Sequence, residues 1–193
     1  MDPKVIWMLA AVVIVVAVVG WILWSRKRTA QLRERFGPEY DRTVQQTGAV
    51  RKAEAALHAR EKRVERLQIR PLTSDEVERF SSSWERVQAR FVDDPHAAIT
   101  EADKLVGEVM AARGYPVGEF DQRVEDISVD HPDVVMNYRA ARDIAAQHDR
   151  GQASTEDLRQ AMVHYRALFR DLLERADAAE RAEEPTPASR GVQ

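Results

Sequence analysis

The chain has 193 residues, 44% of them hydrophobic and 32% charged, with a formal net charge of −3. That length suits one ordinary domain plus attachments. The absence of cysteine excludes disulfides, thiolate metal sites and cysteine nucleophiles.

In chain order, the first element is Val5 to Trp24, twenty positions with no charged residue. As a helix it would be about 30 Å long, the thickness of a hydrocarbon core. Trp7 lies near one end and Trp21 and Trp24 at the other, where a membrane-interface belt places such rings. Ser25-Arg26-Lys27-Arg28 then follows as a stop-transfer flank, where a cleaved signal peptide would carry a small-x-small site. The expectation is a single-pass transmembrane anchor over residues 1–25. The charge bias at Arg26, Lys27, Arg28, Arg33 and Arg35 puts the amino terminus outside and the rest in the cytoplasm. The alternative is an exported carboxy-terminal portion.

Charge is segregated beyond this point. Residues 26–70 carry thirteen Lys/Arg against six Asp/Glu, whereas residues 71–193 carry fifteen against twenty-five. The basic segment is expected to be a juxtamembrane stalk able to meet anionic lipid headgroups. No aromatic residues interleave its cations after Tyr40, which argues against nucleic acid. Gly37-Pro38 breaks the chain, and Tyr40 to about Arg70 reads as one long polar helix ended by Pro71. Val50, Ala53, Leu57, Val64 and Leu67 form a thin stripe along it, a weak coiled-coil signal.

The acidic part, residues 71–182, reads as a bundle of four or five helices. Thr73 with Glu76 predicts a capping box, and Val77, Phe80, Trp84, Val87 and Phe91 form the clearest core-facing stripe. Asp94-Pro95 predicts the next start, with Gly114 as its terminator. Phe120, Val124 and Ile127 suggest a short helix, and Pro132 opens another that ends before Gly151. Ser154 or Thr155 caps the last, which buries Leu158, Met162, Tyr165, Phe169 and Leu172. Residues 183–193 read as a disordered tail. No strand-like alternation occurs, so the fold class is all-α.

Two clusters pair carboxylates with imidazole: Asp93, Asp94 and His96, and Asp130, His131 and Asp133. Either set has the donor chemistry for a divalent ion. Both lie at helix starts beside a proline, where capping accounts for the Asp residues without a metal. None of the five histidines has Glu three residues before it, as a di-iron bundle requires. No Gly-x-Ser-x-Gly elbow or phosphate-cradling glycine loop occurs either. Arg113 to Pro116 reads as an exposed turn, with Arg113 and Tyr115 as candidate docking residues.

Four stretches carry a resemblance: Leu32 to Val44 (LRERFGPEYDRTV), Trp84 to Pro95 (WERVQARFVDDP), Glu101 to Pro116 (EADKLVGEVMAARGYP) and Asp126 to Pro132 (DISVDHP). Together they resemble a bacterial family of small proteins with one amino-terminal hydrophobic segment, described as hypothetical, membrane or secreted. The resemblance implies a bacterial origin, and with it the inner (cytoplasmic) membrane as the location of the anchor, and brings no activity, cofactor or catalytic residue. The leading expectation is therefore a non-enzymatic, membrane-anchored scaffold that needs no cofactor and docks an unknown protein partner. A metal-binding or enzymatic bundle using Asp130, His131 and Asp133 is the first alternative. A self-associating protein, its stalks paired through Leu57 and Val64 as a homo-oligomer, is the second.

Overall fold

A computed structural model describes the backbone of residues 3–183, with side chains over 12–174 except at 13 and 22. The described residues form eight helices and no strand. They divide into two compact units, Met1–Ala59 and Arg60–Gln193.

The first unit contains α1 (Pro3–Phe36), α2 (Pro38–Thr47) and the beginning of α3 (Val50–Val64). Gly37 separates α1 from α2 with φ of 49°, a conformation that favours glycine, and Pro38 supplies the preset first helical residue. Leu32, Phe36, Tyr40, Ala53 and Leu57 are buried and form the apolar centre of this unit. Polar contacts tie α1 to α3: Thr29 donates to Glu54 at 2.7 Å and Arg28 Nε to His58 at 2.7 Å. The Tyr40 hydroxyl also donates to Glu54, at 3.3 Å. Its pKa is raised by burial first and by the Glu54 charge second.

The expected membrane anchor is corrected here. Among the described residues, no helix is long and apolar enough to cross a membrane. The apolar stretch is not a separate element, because α1 runs without interruption through Arg26, Lys27 and Arg28 to Phe36. Side chains of the expected span Val5–Trp24 are described from Val12 onward, except at 13 and 22. The side chains of the rest of Val5–Trp24, Trp7 included, lie outside the described residues. The transmembrane assignment, the inner-membrane location and the inside–outside orientation all lose their structural support together. Trp21 and Trp24 are exposed, and Arg28 is engaged by His58 and by the Trp24 ring, 5.4 Å from its guanidinium carbon.

The single stalk helix is also revised. Gly48 adopts φ of 68°, donates its N–H to Val44 and ends α2, so two helices replace one. The second, α3, ends at Val64, six residues before Arg70. Leu57 and Val64 are both buried and do not present a free pairing stripe.

The second unit holds α4 (Ser74–Asp93), α5 (Pro95–Ala112), α6 (Phe120–Asp130), α7 (Pro132–Asp149) and α8 (Thr155–Glu183). Helix α5 packs against α4, α7 and α8, and α7 packs against both α6 and α8. Thr73 and Glu76 make the reciprocal capping box, with the Glu76 N–H donating to Thr73 Oγ1 and the Thr73 N–H to Glu76. At the next start the Asp94 carboxylate accepts from the Ala97 N–H at 3.0 Å. Ser154 and Asp157 form the corresponding exchange at α8. Phe80, Trp84 and Val87 of the predicted stripe are buried, while Val77 and Phe91 are half-buried at its ends. Of the expected tail 183–193, Glu183 is the last residue of α8, and residues 184–193 lie outside the described residues.

Candidate functional site

Two sets of residues that are separate in sequence meet inside the second unit. Arg113 and Tyr115 follow α5, whereas Asp130 and His131 lie where α6 gives way to α7. His131 is fully buried. Its Nδ1 is bonded to the Asp171 carboxylate on α8, and its Nε2 lies 3.2 Å from an Arg113 terminal nitrogen. That nitrogen also donates to the Leu172 carbonyl at 3.0 Å. The Tyr115 hydroxyl donates to Asp130 at 2.7 Å. Arg113 is 7% and Tyr115 2% exposed, so the side chains expected on a docking turn are part of the interior.

The path of the chain explains this. Gly114 has φ of 94°, and the Arg113 carbonyl accepts from the Arg70 N–H at 2.9 Å. The 68–70 segment thus lies directly over the turn, and a Cβ at Gly114 would sit 2.4 Å from the Gln68 carbonyl oxygen. Asp133 is elsewhere, exposed in the first turn of α7. Among the described residues, no group of three or more His, Asp or Glu is arranged to hold a metal ion. With both imidazole nitrogens engaged and Asp130 accepting from a buried tyrosine, the cluster joins α5, α7 and α8 by hydrogen bonds.

A second polar knot fixes the end of α3. Arg63 Nε donates to the fully buried Asp126 at 2.6 Å, and Arg60 and Arg63 both reach Glu125, at 3.2 and 3.0 Å. Burial lowers the Arg63 pKa, but its hydrogen bonds to Asp126 and Glu125 outweigh this and raise it. Part of the basic excess of residues 26–70 is thus neutralised by α6.

The other predicted cluster opens differently. Asp94 is a cap, Asp93 is exposed, and His96 leaves both to meet His148 of α7, with ring centroids 4.7 Å apart. The two imidazoles border a cavity of about 290 Å³ between α5, α7 and α8. Sequence spacing alone could not reveal this pair, since His96 and His148 sit on helices far apart in the chain. Within the cavity wall, burial and then the charge of Asp103 raise the pKa of Tyr165.

A groove of about 360 Å³ runs between α4 and α8. Val77, Trp84, Phe169 and Leu173 supply its apolar lining, with Glu85, Arg166, Arg170 and Glu174 as charged members. The Trp84 and Phe169 rings stack at 4.8 Å, and the buried Trp84 indole N–H has no hydrogen-bond acceptor among the described residues. The periodicity of α4 and α8 predicts these rings as core; it does not reveal the gap left between them. No family model, curated protein or solved structure matches this chain.

Proposed function

We propose that the protein is a non-enzymatic helical interaction module whose second unit docks a protein partner. The observation that carries this reading is the α4–α8 groove, lined by the stacked rings of Trp84 and Phe169. Grooves with an apolar lining and a charged rim suit an amphipathic helix, whose apolar face covers the rings. Large aromatic residues and arginine are the residue types that dominate binding energy at such interfaces. The charged members balance, two glutamates against two arginines. The occupant that fits is therefore a helix of mixed flanking charge, its apolar face set against the rings.

Photo-cross-linking from the intact protein in its native cells tests this. A photoreactive residue replaces Ser81 or Gln88, both half-buried members of the groove, or Ser82, an exposed control one residue away. The reading expects one protein to be captured through an amphipathic helical segment from positions 81 and 88, but not from 82. Equal capture from position 82, capture only of further copies of this chain, or no capture at all would each overturn it.

A further inference from the structure

The cavity between α5, α7 and α8 has the composition of a small-molecule site. Its volume of about 290 Å³ lies near the lower end of the range for such sites. Ile99, Ala145, Leu158 and the ring of Tyr165 supply an apolar floor. The titratable and charged members are His96 and Asp103 from α5, Arg142, His148 and Asp149 from α7, and Tyr165 from α8.

These polar members differ in whether the fold already uses them. Asp103 accepts from the Tyr165 hydroxyl at 3.2 Å and faces Arg123 of α6 at 3.8 Å. Its negative charge is therefore countered within the protein. His148 Nδ1 is buried with no hydrogen-bond partner among the described residues. The Arg142 side chain makes no hydrogen bond among the described residues; its guanidinium carbon lies 5.6 Å from the Phe120 ring centroid. The open bonding capacity of the wall thus lies with one guanidinium and the paired imidazoles. Of the two carboxylates in the wall, Asp103 is engaged by Tyr165 and Arg123, and Asp149 is exposed to water.

We infer that this cavity binds a small organic acid, its carboxylate held by Arg142 and His148 and its apolar body resting on Ile99, Leu158 and Tyr165. A guanidinium fork matches a carboxylate in geometry as well as charge. The part of the His148 ring that borders the cavity supplies a second contact, its proton placed by the tautomer that the ligand selects.

The test is an NMR titration of the full-length chain with histidine rings isotopically labelled. Benzoate serves as the probe, because it joins a carboxylate to a compact apolar ring; benzylamine serves as its cationic counterpart. Benzoate is expected to move the His96 and His148 ring signals saturably at millimolar concentration and to leave His58 unmoved, while benzylamine moves none. Arg142 is exposed, so Arg142→Gln is expected to keep the wild-type unfolding midpoint. Loss of its charged contact is expected to weaken benzoate binding about tenfold or more. Absence of any shift with benzoate, a response to benzylamine instead, or undiminished binding by a folded Arg142→Gln variant would overturn the assignment.

Discussion

Replacing Gly114 by alanine separates two costs that are usually merged. The first is conformational: at φ of 94° an L side chain meets its own backbone, which costs roughly 1–2 kcal/mol. The second is steric and specific to this turn. The added Cβ would lie 2.4 Å from the Gln68 carbonyl oxygen, a backbone atom that cannot rotate away. The 68–70 segment must lift, weakening the Arg70 N–H bond to the Arg113 carbonyl, worth about 1 kcal/mol. It also disturbs Leu72, which is 2% exposed. Together these give a loss of about 3 kcal/mol. Gly151 is the internal control: its φ is 70°, but a Cβ there meets nothing within 4 Å. Gly151→Ala therefore carries the conformational cost alone, about 1 kcal/mol. Both glycines lie in the second unit, so urea unfolding monitored by tryptophan fluorescence, with Trp84 as its reporter there, compares them directly. A difference between the two variants below about 0.5 kcal/mol, the usual scatter of surface substitutions, would refute the steric account.

Two further outcomes follow from the polar contacts. His131→Ala is expected to destabilise the second unit by roughly 3 kcal/mol, because Asp171 loses a hydrogen-bond partner and Arg113 keeps only the Leu172 carbonyl from this pair. In a double-mutant cycle with Asp171→Asn, measured by urea unfolding, the combined loss should fall at least about 1 kcal/mol short of the sum; strict additivity would show that the two side chains do not act as a pair. Glu76 has its pKa lowered from 4.5 to about 2, first by the Arg70 guanidinium and then by the Thr73 N–H. A carboxyl depressed on folding stabilises the native state above its ordinary pKa and loses that contribution as pH falls toward the depressed value. The stability gap between wild type and Glu76→Gln should therefore be full at neutral pH and shrink between about pH 4.5 and 2; a gap independent of pH would sink this assignment.

The sequence made the second unit largely legible because its signals are local. Capping at Thr73 and Asp94, proline starts at Pro95 and Pro132, and the stripe through Phe80, Trp84 and Val87 each depend on residues within one or two turns. The first unit was harder for the same reason. Apolar composition over Val5–Trp24 looks like a complete span, yet composition does not say where a helix stops, and α1 continues through the basic flank to Phe36. Gly48 was readable in principle as a left-handed terminator. The polar periodicity on either side of it instead suggested continuity. Arg113 and Tyr115 were misplaced because a loop motif carries no record of what lies over it; the 68–70 segment that buries them is more than forty residues earlier.

Polar residues in helix-start motifs can serve the fold or remain open to a ligand, and partner geometry separates these roles where residue type does not. Asp130 and His131 resemble a metal pair in sequence, yet Asp130 accepts from Tyr115, and both His131 nitrogens face protein partners. Asp94 is committed to the Ala97 N–H. His96 belongs to the same short motif as Asp94, but it turns away from the cap toward His148 and the cavity. There Asp103 is satisfied, while His148 Nδ1 is not. A buried donor or acceptor without a partner costs about 1–3 kcal/mol, a cost the fold avoids at His131 and carries at His148. The same reasoning applies to the Trp84 N–H in the α4–α8 groove. The buried network around His131 is therefore better assigned to holding helices together, whereas the incomplete bonding at His148 and Trp84 falls in residues that line a cavity and a groove.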